Sequence, residues 1–246
     1  MKYRVEGDGP LLVSLPGLDG TGRLFFKQTP SLAARYRVVL VSLPDDGEFT
    51  YQDLADDVAS IIEELGHQRA VIVGESFGGT VALWFAMLYP AMVDRLVIVN
   101  SFPRFKKRAL LALGLVLARK APESFTWLVR SAGNRIGLRL DGVGPEDRRR
   151  FFEAVRNLNP EGYTRRLELI WDLDIADRVS EISVPTLFVA GEKDLLVPSA
   201  KEAIAMAAGM PRATVRIIPG AGHACLLGEK VLLSDLLAEW MGAVKR

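Results

Sequence analysis

Two spacings of apolar residues alternate along the chain. Short runs in which nearly every position is apolar recur at 11–15, 37–43, 69–74, 95–100, 186–190 and 214–218. Unbroken runs of this length fit strands covered on both faces. Between them, apolar residues fall three and four apart, as in Leu54, Val58, Ile61, Ile62 and Leu65. That spacing predicts a helix opened at Thr50, where Asp53 completes something close to a capping box, and closed by Gly66. A stretch over 25–35 reads as a short helix or an irregular connection. The segment 77–89 is apolar nearly all round (Val81, Ala82, Leu83, Trp84, Phe85), which predicts a central, buried helix. Further helices are expected over 199–208 and about 227–243, the last with Leu232, Leu233, Leu236, Leu237 and Trp240 on one face. Strand and helix in alternation call for an α/β fold with a mostly parallel sheet and helices on both faces.

After Ser101 the rhythm breaks. Residues 102–180 carry no strand pattern and read as helices over 105–120, 122–132, 145–157 and 160–172. Because the strand rhythm returns at 186, the expected organisation is one α/β core built from 1–101 and 181–246. A helical cap over 102–180 is inserted before the 186–190 strand.

Candidate chemistry sharpens the picture. The third apolar run ends in Gly74-Glu75-Ser76-Phe77-Gly78-Gly79 and passes straight into the 77–89 helix. Gly-x-Ser-x-Gly arises by chance in glycine-rich chains, but between a strand and a helix it describes a turn that lifts one hydroxyl above a sheet edge. A serine nucleophile needs a base, and the chain has only two histidines. His67 lies where the 50–66 helix ends, on the opposite edge, and reads as a surface residue. His223 follows the last strand, on the edge that carries Ser76. Asp194, after the 186–190 strand, is the expected orienting acid. Glu192 is its nearest rival, and Asp172, Asp174 and Asp177 read as solvated or capping residues. The oxyanion that forms in acyl transfer needs two converging donors. The Phe77 N–H is one. The Leu18 N–H, in the Pro16-Gly17-Leu18-Asp19-Gly20-Thr21-Gly22 loop, is the expected other.

The motif around Ser76, the Gly191-x-x-Asp194 turn followed by Val197-Pro198, and Gly222-His223 resemble the α/β-hydrolase fold in identity, spacing and order, over nearly the whole chain. The segment Leu15-Pro16-Gly17-Leu18-Asp19-Gly20-Thr21-Gly22 also resembles the same loop in the pimeloyl-[acyl-carrier protein] methyl ester esterase group and in plant esterase/acyltransferases. Many members carry His-Gly where this chain has Pro16-Gly17, which bears on loop shape and not on proton transfer. The resemblance implies a serine carboxylic ester hydrolase. A thioesterase or acyltransferase with the same triad is the first alternative, and a non-catalytic ligand-binding member of the fold the second. Ser76 stands where dehalogenases and epoxide hydrolases of this fold need a carboxylate.

Bulk properties narrow the rest. A 246-residue chain that is 49% hydrophobic and 25% charged is an ordinary globule, sized for one large α/β domain. A net charge of +1 gives no general attraction to nucleic acid. The lone Cys225 excludes an internal disulfide and a cysteine-based metal cluster. No cofactor or metal is expected, since the 17–22 loop lacks both the phosphate-loop lysine and the dinucleotide spacing. The first eight residues are too polar for a signal peptide, and the longest apolar run, 109–118, is too short to span a bilayer. The expectation is a cytoplasmic enzyme without membrane insertion. Residues 101–180 hold 16 Lys and Arg against 10 Asp and Glu. This excess is either a solvated face or an attraction for an anionic partner: an acyl-carrier protein, a CoA-linked substrate or an anionic lipid surface. The apolar residues of the segment, among them Leu111, Leu113, Leu115, Leu117, Phe125, Trp127, Leu128, Phe151 and Phe152, predict a small-molecule ester with an apolar acyl group.

Overall fold

The computed structural model describes residues 1–120, 140, 142–156, 158–229 and 231–244. Seven strands, β1 (Lys2–Glu6), β2 (Leu11–Leu15), β3 (Arg37–Ser42), β4 (Ala70–Glu75), β5 (Val93–Val99), β6 (Thr186–Gly191) and β7 (Ala213–Ile218), form one sheet in the order β1-β3-β2-β4-β5-β6-β7. Every neighbouring pair is parallel except β1 with β3. Strands β2 and β6, both with neighbours on each side, are buried along their whole length, as their mostly apolar runs require.

Helices cover both faces. On one side α2 (Tyr51–Glu64), α3 (Phe77–Leu88) and α7 (Ser199–Ala208) pack into the larger core, through residues such as Leu54, Val81 and Met206. On the other, α1 (Thr29–Ala33) and α8 (Leu233–Val244) contribute Leu32, Leu233, Leu237 and Trp240. The Thr50 capping box is present in full, with Thr50 and Asp53 bonded to each other's backbone N–H. The 25–35 stretch resolves into a 3₁₀ turn (Arg23–Lys27) followed by α1.

Three differences from the apolar pattern have physical reasons. Strand β1 was not expected. It alternates Lys2, Arg4 and Glu6 with Tyr3 and Val5, lies on the sheet edge and pairs only with β3, so no apolar run marks it. Strand β5 stops at Val99 rather than Asn100, whose φ of 46° turns the chain out of the sheet. The last helix begins at Leu233, not near 227. Residues Cys225–Leu227 form a separate 3₁₀ turn, and the Leu233 N–H donates to Gln28 Oε1 at 2.7 Å. Leu232, expected on the apolar face, precedes the helix and is exposed.

Between β5 and β6 the described residues form α4 (Arg108–Lys120), α5 (Pro145–Arg156) and α6 (Pro160–Asp172), with no named strand and one isolated bridge, Arg104 to Asp174. The first starts at 108 rather than 105, leaving Phe105 in the chain before it, edge-on to Phe102. The helix expected over 122–132, with Phe125, Trp127 and Leu128, lies outside the described residues. No described helix is long and apolar enough to cross a membrane.

Candidate active site

Ser76 sits between the last residue of β4 and the first of α3, at φ 54° and ψ −115°. A non-glycine residue holds such a conformation only when its surroundings over-determine it. Here the Ser76 N–H donates to the Val99 carbonyl at 2.9 Å, and the Ser101 hydroxyl donates to the Ser76 carbonyl at 2.7 Å. The flanking glycines are sterically required. A Cβ on Gly78 would collide with the carbonyls of Leu15 and Pro16, and one on Gly74 with the Gly78 backbone.

Three sheet-edge loops bring the expected side chains together. His223 Nε2 is 2.9 Å from Ser76 Oγ, and His223 Nδ1 is 2.7 Å from Asp194 Oδ2. The Asp194 side chain is fully buried and that of His223 nearly so. Burial works against the Asp194 charge. The His223 imidazole, its hydrogen bond, the Ser199 hydroxyl and the Val197 N–H outweigh it and hold the carboxyl below its usual range. An ionised carboxylate only accepts, so in the neutral imidazole Nδ1 carries the proton and Nε2 can accept from Ser76. Such a chain of groups can remove the serine proton as Oγ attacks a carbonyl carbon.

The glycine-rich loop lies against this serine. A side chain on Gly17 would meet Ser76 Cβ at 3.6 Å, and Leu18 faces the same cavity as Ser76 and His223. The loop is internally tied: Gly20 N–H donates to Gly17 O at 3.0 Å, and Asp19 accepts from the Thr21 N–H and hydroxyl at 2.9 and 2.6 Å. Leu18 and Phe77 thus lie on the two chain segments next to Ser76, the loop after β2 and the start of α3.

A family model described as alpha/beta hydrolase fold matches residues 10–229. The chain belongs to the α/β hydrolase fold family. It is 31% identical to the magnesium-chelatase 30 kDa subunit of Rhodobacter capsulatus, covering 95% of this chain and 87% of that one. It is 29% identical to the pimeloyl-[acyl-carrier protein] methyl ester esterase of Vibrio atlanticus (strain LGP32), covering 92% of each. Identity is 26% to the RutD protein of Stutzerimonas stutzeri (strain A1501), provisionally named a carbamate hydrolase, over 98% of this chain and 96% of that one. The crystal structure of a hydrolase from Pseudomonas aeruginosa PA01 shares the fold, with a TM-score of 0.85 at 24% identity over 98% of this chain and 93% of that one.

In this α/β hydrolase a cavity of about 520 Å³ opens over Ser76. Its far walls are apolar, with Leu111 and Leu117 from α4, Phe151 and Val155 from α5, and Leu167 and Ile170 from α6. Its polar end holds Ser76, His223, Asp19 and Glu75. Burial pushes the Glu75 carboxyl up to about 7, with His223 opposing the rise and Asp19 adding to it. Below its ordinary value of 4.5, Glu75 is protonated whether the chain is folded or not. As pH rises from there to about 7, the unfolded chain releases this proton first, so stability falls, and it stays reduced above that range. Glu75→Gln is therefore expected to melt above wild type at pH 8 and alongside it near pH 4. Melting temperatures across that range check this, and a constant offset would contradict the assignment.

Several residues near the site had no sequence signal. Asn100 Nδ2 donates to the His223 carbonyl at 2.5 Å and to Cys225 Sγ at 3.2 Å, while its Oδ1 accepts from the Gly191 N–H at 2.7 Å. One side chain thus ties the end of β6 to the histidine loop. The Ser199 hydroxyl donates to Asp194 Oδ2. Glu192 instead accepts from the Gly220 N–H at 2.7 Å, away from His223. Asp174 pairs with Arg104 at 2.9 Å on the surface, and His67 is half-buried where α2 ends.

Proposed function

We propose that this α/β hydrolase cleaves carboxylic esters by an acyl-enzyme route. Ser76 is the nucleophile, His223 the general base and then acid, Asp194 the orienting acid, and the Leu18 and Phe77 N–H groups the oxyanion donors. The reading rests on one observation: Ser76 Oγ, His223 and Asp194 stand in hydrogen-bonded series at 2.9 and 2.7 Å. In acylation, the Ser76 proton passes to His223 Nε2 while Oγ bonds the carbonyl carbon. The leaving alcohol departs with that proton, and water activated by His223 then releases the acid.

The apolar walls of the cavity favour an ester with an apolar acyl group over a small polar carbamate, which could not use them. They suit the acyl part of a thioester equally well, so thioester cleavage or acyl transfer is the second reading. The cationic excess of the insertion lends less support to a carrier-bound substrate. Arg104, Lys106 and Arg119 sit 2.9, 2.7 and 2.5 Å from carboxylates, and Lys107 and Arg108 donate to the Leu195 and Trp171 carbonyls. A free small-molecule ester is accordingly the proposed substrate.

The test is a panel of chromogenic acyl esters of increasing chain length beside the matching thioesters and carbamates, with a fluorophosphonate to mark the reactive serine. Ester turnover that rises with acyl length, and label recovered on the Ser76 peptide, are expected. Label on another serine, or preference for the shortest carbamate, overturns the reading.

A further inference from the structure

We infer that Arg166, on α6 of the insertion, is a positioning residue for the oxyanion hole, holding the Leu18–Asp19 peptide so that the Leu18 N–H faces the substrate oxygen. The inference deepens the proposed function and rests on Leu18 being a donor there. Arg166 is 0% exposed and is the largest of the fully buried side chains among the described residues. An arginine held out of water is costly unless its donors find fixed acceptors. Its Nε–H donates to the Leu18 carbonyl at 3.0 Å, and Nη1–H to the Pro44 carbonyl at 2.9 Å. Nη1 and Nη2 also reach Asp45 Oδ1 at 3.3 and 3.4 Å.

Those acceptors lie on the loops that follow β2 and β3, so one planar fork joins three segments of chain. Gly20 records how closely it fits. A Cβ there would lie 2.6 Å from Arg166 Cζ, so the guanidinium fills the space that any side chain at position 20 would need. Burial works against the Arg166 charge, and Asp45 and Asp19 counter it. Arginine suits this place because its donors leave one rigid plane in set directions, whereas lysine offers a point charge and methionine nothing. A tether that only fastened α6 to the core would need the Pro44 and Asp45 contacts. The bond to Leu18 reaches the residue that supplies the proposed donor.

The experiment compares wild type, Arg166→Met, Arg166→Lys and Asp45→Asn on one chromogenic hexanoate ester. It also measures binding of a trifluoromethyl ketone and the matching methyl ketone. Ser76 Oγ adds to the fluorinated carbonyl, its proton passes to His223, and the carbonyl oxygen becomes an oxyanion, whereas the methyl ketone binds without that charge. Arg166→Met is expected to lower kcat by about 10- to 100-fold, less than full loss of an oxyanion donor, with KM within about twofold. It should weaken the trifluoromethyl ketone by the same factor, spare the methyl ketone, and be partly rescued by Arg166→Lys. Wild-type kcat in Arg166→Met, or equal weakening of both ketones, overturns the inference. If Arg166→Met does not fold, Arg166→Lys and Asp45→Asn carry the test: kcat reduced by about threefold or more with KM kept supports it, and unchanged kcat in both overturns it. A Ser76→Ala protein that turned over the ester would sink the proposed function itself. An inactive Ser76→Ala beside a fully active Arg166→Met would sink only the role of Arg166.

Discussion

Ser76→Ala is expected to lower kcat for esters by roughly 10⁴- to 10⁶-fold, the scale on which loss of a nucleophile is felt in serine hydrolases. The substitution removes the atom proposed to bond the acyl carbon and leaves nearly everything else. Alanine keeps the Cβ beside Gly17 and meets the same strain at φ 54° that serine already bears. The backbone bonds from Ser76 to Val99 and Ser101 do not involve Oγ. Affinity for a non-hydrolysable ester analogue and the unfolding midpoint should therefore move little. Steady-state kinetics with enzyme purified free of host esterases checks this, and residual activity near one tenth would exclude Ser76 as nucleophile.

Asp194→Asn should cost about 10⁴-fold in kcat, as a wrong histidine tautomer does in a comparable triad. The direction follows from how the carboxylate is used. Its Oδ1 accepts the Leu196 and Val197 N–H groups at 2.9 and 3.0 Å, while Oδ2 faces His223 Nδ1 and the Ser199 hydroxyl. In asparagine the amide oxygen must stay with the two backbone donors, which puts the NH₂ against His223. That NH₂ donates to Nδ1, so the imidazole proton moves to Nε2, which then points at Ser76 Oγ and cannot accept from it. Because the shape is kept, the loss should fall on kcat with little change in KM, and raising the pH should not restore it. Kinetics from pH 6 to 9 would show this. A loss confined to KM would mean that Asp194 acts in binding rather than in orienting the base.

Most of the sheet edge was legible because its chemistry is carried by short contiguous signals. The elbow announces itself through a strand, two glycines and a helix, and scarcity of histidine narrows the choice of base to His223. What was illegible depends on approach in space. Asn100 looks like the last residue of an apolar run, yet its side chain joins two loops. Ser199 is one hydroxyl at the start of a helix, and only the fold sets it beside Asp194. Arg166 stands beside Arg165 in a helix of ordinary amphipathic pattern, and residue type does not tell the fully buried arginine from its neighbour. Strand β1 was missed because an edge strand with one partner needs no apolar run. The start of α8 was misplaced because leucine continues from 226 through 237 while the helical turn begins only where Gln28 receives it.

The ends of the stretch between β5 and β6 are pinned side by side. Arg104 and Asp174 form an isolated bridge, the Ile175 N–H donates to the Pro103 carbonyl at 3.0 Å, and β5 and β6 are neighbours in the sheet. The chain between them thus leaves and re-enters through a closed neck, and lengthening such a loop adds closure entropy only as the logarithm of its length. The neck holds the ends of that stretch together, so the register of β5 on β6 is kept by its own ladder whatever length of chain runs from 105 to 173.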